Sequence, residues 1–206
     1  MGFISHFILP KTVDFDQALQ AQAGIMLTTL EDLYLASKED DAAALARIPL
    51  HAEKARAMKT TNMKELLDVF ITPYDKESIY RIITQLDWIT LSIKHFQLEQ
   101  HAYAIDSIQQ YQPIIKQLLD MAKLLRQCIT QLTAKNPKTI APKITLINDR
   151  YDEVVTRCAE FVARLLQQQD CRVIIKQRDL LAQLKEIAKR IHVSAYSLED
   201  MAIKVM

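Results

Sequence analysis

Apolar residues recur along the chain in steps of three and four, broken by short polar stretches, and this rhythm predicts six helices. The first runs from about Asp14 to Ser37, after the extended "ILPKTVDF", on the stripe Leu19, Ile25, Met26, Leu30 and Leu33. The second opens near Asp40 and Asp41, whose charges favour a helix start, and reaches about Phe70; Pro49 predicts a kink or a short separate piece. The third begins after Thr72 and carries Ile79, Ile82, Ile83, Leu86, Ile89, Ile93 and Phe96 on one face. The fourth covers about Asp106 to Ala134, with Pro113 in its first turns, and turns Leu118, Met121, Leu125, Cys128, Ile129 and Leu132 inward. The fifth, about Ile144 to Gln169, is amphipathic through Ile147, Tyr151, Val154, Val155, Cys158, Phe161, Val162 and Leu165. The sixth opens near Arg172 or Ile175 and extends towards the end through Leu181, Leu184, Ile187, Ile191, Ala195 and Leu198. Its β-branched start, "RVII", would be an isolated strand without a partner, so it reads as helix lead-in.

Two breaks organise these helices. In "FITPYDKESIY", residues 70–80, Pro73 suits the first position of a helix and is disfavoured inside one. Thr72 is the expected cap, with Asp75 three residues on in a capping-box-like pair, and the tight turn makes the second and third helices antiparallel neighbours. The second break, "AKNPKTIAPK" at residues 134–143, holds two prolines, an asparagine and three lysines and is the clearest boundary in the chain.

Composition agrees with an all-α reading. At 206 residues the chain can bury a real core. It has 2 glycines, where average usage gives about fourteen. Strand turns and phosphate loops both need glycine, so the scarcity favours long helices and short connections. Amphipathic helices of this length must each bury a stripe, which predicts an elongated up-and-down bundle of two three-helix halves, about 12–100 and 106–206, within one unit.

Charge and motifs narrow the chemistry. Lys plus Arg, 26, nearly balances Asp plus Glu, 25, which offers no global footprint for nucleic acid. No apolar run is long enough to insert directly into a membrane. The start, "MGFISHFILPK", lacks a basic leader region, and His6 breaks the myristoylation pattern that Gly2 invites. Cys128, Cys158 and Cys171 lack CxxC spacing and read as buried or partly buried thiols rather than a disulfide or zinc site, so the chain is expected to be cytoplasmic. None of His6, His51, His95, His101 and His192 has Glu three residues before it, which removes the ferritin-like di-iron signature. There is no nucleophile elbow, no glycine-rich phosphate loop and no Cys–His pair with a family spacing, so no signature of nucleophilic catalysis is present. Trp88 reads as a packing residue beside the third stripe, and the last helix, despite its basic residues, as a core helix.

"LLDVFITPYDKESIYRIITQLDWI", residues 66–89, closely resembles the signature of the PhoU-like family that accompanies low-affinity inorganic phosphate (Pit) transporters. There a helix ends in Phe-Ile-Thr-Pro-Phe-Asp, followed by an acidic start and Leu-Asp-Asp. "FILPKTVDFDQALQAQAG", "ITLINDRYDEVVTRCAEFVARLL" and "IIKQRDLLAQLKEIAKRIHVSAYSLEDMAIK" are similar to the family's opening, fifth and closing segments, so the resemblance spans essentially the whole chain. Its most specific piece is Phe70 to Ile79, with Phe70, Thr72, Pro73 and Asp75 as signature residues. The resemblance implies two three-helix bundles and a non-enzymatic accessory or regulatory role in phosphate transport. A Pit-type membrane transporter or its regulator is the implied partner, and the protein would lie at the inner membrane through that partner. Self-association to a homo-oligomer is also expected from long amphipathic helices that leave lateral apolar surface.

Family members carry Glu-x-x-x-Asp or Asp-x-x-x-Asp pairs, whose spacing puts both carboxylates on one helix face to clasp cations. Here the matching positions are Ala52 and Arg56, Asp87 and Leu91 (with Trp88 where a second Asp is common), Asn148 and Asp152, and His192 and Tyr196. No pair is intact, and Arg56 puts a cation where a metal would sit. Asp87, Asn148, Asp152 and His192 remain as vestigial metal candidates, with no cofactor expected. Two alternatives stay open: a metal-binding bundle using those residual ligands, and a helical scaffold repurposed for a partner unrelated to phosphate.

Overall fold

The computed structural model describes residues 13–204, so the readings made on Gly2, His6 and the opening "FILPKT" lie outside the described residues. Six helices account for nearly all of them: α1 (Phe15–Glu39), α2 (Ala42–Asp68), α3 (Lys76–Ala102), α4 (Gln112–Thr133), α5 (Ala141–Leu165) and α6 (Cys171–Ile203). Short 3₁₀ turns at Gln109–Tyr111 and Pro137–Thr139 lead into α4 and α5, and no strand occurs among the described residues. At about 1.5 Å per residue, α2 and α3 are each about 40 Å long, so the bundle is elongated.

Each helix starts where its first residues dictate. Asp14, Asp41, Asp75 and Asp170 cap α1, α2, α3 and α6 by accepting hydrogen bonds from the free N–H groups of the first turn. α4 and α5 instead begin with Pro113 and Pro142, which lack the N–H that would otherwise go unpaired there. Pro113 therefore delays α4 to Gln112, six residues later than the apolar periodicity alone indicates. With so few glycines, the chain uses Asp40, Ala104 and Lys135 in left-handed conformations to leave α1, α3 and α4.

Two expectations about helix ends are corrected. Asp75, not Thr72, caps α3: its carboxylate accepts from Ser78 N at 2.8 Å and from Ser78 Oγ at 2.5 Å. Thr72 lies upstream of the first turn of α3, which begins at Lys76, and its hydroxyl donates to the Tyr74 carbonyl at 2.6 Å, so Pro73 belongs to the turn rather than to the helix. Pro49 does not split α2, which runs through it. It costs one hydrogen bond from position 49 to the Leu45 carbonyl, and burial of Ala44, Ile48, Ala52 and Ala55 along the same helix offsets that loss.

α1, α2 and α3 pack on one another, as do α4, α5 and α6; α1 against α4 and α3 against α6 join the two triplets side by side. The core is one continuous cluster running through both triplets. Leu19, Met26, Leu30 and Leu33 of α1 and Ile79, Ile83, Leu86, Ile89, Ile93 and Phe96 of α3 are wholly buried in it. Each such side chain contributes about 1.5–3 kcal/mol relative to exposure. Tyr111 marks the junction after α3, edge-on to Phe96 at 6.2 Å and stacked on Phe161 at 5.4 Å. α2 and α5 are the outer helices: Tyr151, Val155, Phe161 and Val162 of α5 are only partly buried because α5 contacts two neighbours where α4 contacts three.

Candidate functional site

The signature turn presents apolar side chains to solvent. Phe70 is 97% and Ile71 88% exposed, directly after Leu67 at 83%. The turn beneath them is held firmly. Tyr74 is buried and its hydroxyl donates to Asp16 Oδ1 of α1 at 2.8 Å. Asp75 holds the start of α3 and also faces Lys204, the residue that follows α6, at 3.7 Å. Hydrogen bonds from Ser78 keep the Asp75 carboxyl below the usual carboxylate range, against the opposing effect of burial. The result is a rigid base with an apolar tip.

The vestigial metal candidates fall into two separate places. In the first triplet, Asp87 is buried, and Lys59 Nζ of α2 sits 2.8 Å from its Oδ2. Ala52 is buried and offers no ligand, Leu91 is half-buried, and Arg56 points to solvent rather than into the clasp. Lys59, not Arg56, supplies the local cation, because it lies one turn further along α2 and meets Asp87 across the α2–α3 contact.

In the second triplet the fold brings together Asn148, Asp152, His192 and Tyr196. Asn148 Nδ2 donates to the Tyr196 hydroxyl at 3.0 Å, while its buried Oδ1 has no hydrogen-bond partner. His192 stacks flat on Tyr151 at 4.5 Å and meets Tyr196 edge-on at 4.9 Å. Burial holds the His192 imidazole below its ordinary value, with the nearby Asp152 carboxylate opposing the shift. Asp152 itself is exposed.

These residues do not fit a multinuclear metal centre. Among the described residues, no three His, Cys, Asp or Glu side chains converge as ligands would. A lysine ammonium already neutralises Asp87, and ring stacking sequesters His192. Divalent cations of the hard or borderline kind need several anionic or neutral donors around one point.

A third polar cluster escaped the sequence reading. Asp32 of α1 is buried; Arg47 of α2 holds it through Nε–Oδ2 at 3.0 Å and Nη2–Oδ1 at 2.5 Å, and His51 Nε2 lies 2.9 Å from Oδ2. Burial raises the Asp32 carboxyl, but the Arg47 and His51 hydrogen bonds outweigh it and leave the group below the usual range. The signal available was Arg47 and His51 at i, i+4 on α2 opposite an acid on the inward side of α1. Without inter-helix register that spacing points nowhere in particular.

The remaining candidates resolve simply. Cys128 and Cys158 are buried, and burial raises their thiols to about 12 and about 11; Cys171 is exposed at the start of α6, which corrects its reading as a buried or partly buried thiol. Trp88 is 46% exposed rather than packed away, with the Arg190 guanidinium 5.4 Å above its ring. It lines a cleft of about 150 Å³ with Gln85, Glu186, Lys189, Arg190 and Val193. No described helix is long and apolar enough to cross a membrane.

Comparison with known proteins sets this geometry in context. No family model and no curated protein matches the chain. Solved structures do. A PhoU-like protein from Shewanella oneidensis MR-1 superposes with a TM-score of 0.77 at 13% identity, covering 93% of this chain and 100% of that one. A PhoU-like phosphate regulatory protein from the same organism superposes with a TM-score of 0.79 at 15% identity, again over 93% of this chain and 100% of the other. With 93% of the chain superposed in each case, the fold of this chain is that of the PhoU-like proteins.

Proposed function

We propose that this protein is a non-enzymatic regulator of inorganic phosphate transport that acts by protein–protein contact. Its partner is a Pit-type membrane transporter or a regulator attached to one. The observation that supports this reading is the exposed Phe70–Ile71 tip, carried on a buttressed turn in a chain of which 93% shares the fold of a phosphate regulatory protein. Exposed aromatic and aliphatic side chains on a rigid support are what a protein interface uses as anchors, since little freedom remains to be lost on binding. The protein works from the cytoplasmic side, peripheral to the inner membrane through its partner, and self-associates.

Co-purification from detergent-solubilised membranes tests the reading. Tagged protein is expected to retain a many-spanning phosphate transporter, and Phe70→Ser with Ile71→Ser is expected to release it while leaving the helical content intact. Recovery of no transporter, together with unchanged phosphate uptake on deletion, refutes the role. Light scattering of the purified chain measures its self-association.

A further inference from the structure

We infer that a groove on the outer face of α4 binds a soluble anion carrying several linked phosphate groups, a site independent of the transport reading above. The groove has a volume of about 460 Å³ and is lined by Leu27 of α1, Lys143 of α5, and Lys123, Arg126, Gln127, Thr130 and Gln131 of α4. The α4 residues recur at i, i+3, i+4, i+7 and i+8, one face of one helix. Three of the lining side chains are cations and none is an acid.

That imbalance is local and unpaired. Over residues 121–148 the chain has five Lys or Arg (Lys123, Arg126, Lys135, Lys138 and Lys143) and no Asp or Glu, although the whole chain carries 26 basic and 25 acidic residues. Elsewhere acidic side chains are interspersed with the basic ones, and several meet directly: Arg47 with Asp32, Lys59 with Asp87, Arg81 with Glu77, Arg150 with Glu153, Arg190 with Glu186. The nearest acid on α4, Asp120, is engaged by Lys116. Among the described residues none of Lys123, Arg126 and Lys143 makes an ion pair with a carboxylate.

Lys143 adds a second, independent point. It lies in the first turn of α5, a 25-residue helix with no acidic residue in that turn and no side-chain cap. A cation at the positive end of a helix is unfavourable there, and Lys123 and Arg126 repel each other at i, i+3. An anion in the groove relieves both costs at once. The neutral groups suit the same ligand: Gln131 Oε1 accepts from Thr139 Oγ1, so its amide N–H groups are the part left to donate.

Spacing favours linked phosphates over an acidic peptide. Residues 123–131 span about 12 Å of α4. Acidic side chains on one face of an extended peptide lie about 6.6 Å apart, two residues at about 3.3 Å each. A phosphate chain packs its charge more densely, and Arg and Lys with amide donors satisfy several phosphate oxygens together.

Calorimetric titration of the intact protein at low salt tests the site, with tripolyphosphate as the probe. Saturable one-to-one binding is expected. It should weaken at least tenfold in Lys123→Gln with Arg126→Gln, weaken separately in Lys143→Gln, and fall as salt is raised. Both variants change solvent-facing residues, and circular dichroism verifies that they are folded. Orthophosphate is expected to bind more weakly. The inference is overturned by non-saturable binding, by binding equal in the variants, or by equal or tighter binding of oligoglutamate, a short single-stranded oligonucleotide or phosphatidylglycerol vesicles.

Discussion

Lys59 Nζ of α2 lies 2.8 Å from Asp87 Oδ2 of α3, and it neutralises a carboxylate that is almost wholly buried. The pair ties an outer helix to a central one at the level where related proteins are expected to place cation ligands. Removing one partner strands the other. Lys59→Met is expected to destabilise the fold by about 1–3 kcal/mol, the cost of leaving a buried polar group unsatisfied, measured as a lower denaturation midpoint in urea. Lys59→Met with Asp87→Leu is expected to recover most of the loss, since a well-packed apolar pair often equals a buried ion pair. A double variant weaker than the single one contradicts this account.

The Asp75 cap makes a separate prediction. Asp75→Ala removes the acceptor for Ser78 N and is expected to cost about 1 kcal/mol. Thr72→Val, which leaves that cap in place, is expected to cost clearly less. Comparing the two midpoints distinguishes an aspartate cap from a threonine cap.

Ala104 leaves α3 with a φ of 50°, a conformation that disfavours any residue with a Cβ. Ala104→Gly is expected to stabilise the protein by about 1 kcal/mol, seen as a higher melting temperature. A lower one shows that the residue is not strained.

His192 gives a pH dependence whose sign is set by burial. Its folded pKa lies below the unfolded value of 6.5. The unfolded chain therefore binds the proton more readily between the two values, so stability falls as pH drops below about 6.5 and levels off beneath the folded pKa. His192→Phe keeps the stack on Tyr151 and is expected to flatten that slope. Urea midpoints measured from pH 7.5 to 5 for both proteins provide the comparison. Asp32 contributes in a lower window: its folded pKa is depressed, so its stabilisation is lost as pH falls through that value.

The thiols separate by burial. An aromatic disulfide reagent at pH 8 is expected to label Cys171 rapidly in the native protein, and Cys128 and Cys158 only after unfolding, because burial both shields them and suppresses their thiolates. Rapid labelling of all three would mean that α4 or α5 opens readily.

Much of the fold was legible because it is written locally. Apolar periodicity placed all six helices, since each stripe repeats at the helix's own pitch. The starts at Asp14 and Asp41 follow from side chains that reach only two or three residues along the chain. Thr72 misled because threonine and aspartate are both good caps, and only the actual turn shows that the Tyr74 carbonyl takes the threonine hydroxyl. The short separate piece allowed for at Pro49 does not form for the opposite reason: a local penalty was outweighed by burial along the helix, which propensity does not contain. At the candidate site, the loss of intact acidic pairs was readable position by position; what replaced them was not.

The sequence by itself determined the number, order and approximate placement of the helices and the absence of paired ligands at Ala52, Arg56, Leu91 and Tyr196, because each depends on residue identity and short spacing along one chain segment. Only the tertiary structure decided that Lys59 meets Asp87, that Arg47 and His51 converge on Asp32, that Tyr151 stacks on His192, and that Leu27, Arg126 and Lys143 line one groove. Each of these relationships joins different helices. Which side chains meet across such a contact depends on the offset and crossing of the two helices, quantities set by the packing of the whole core rather than by any stretch of sequence.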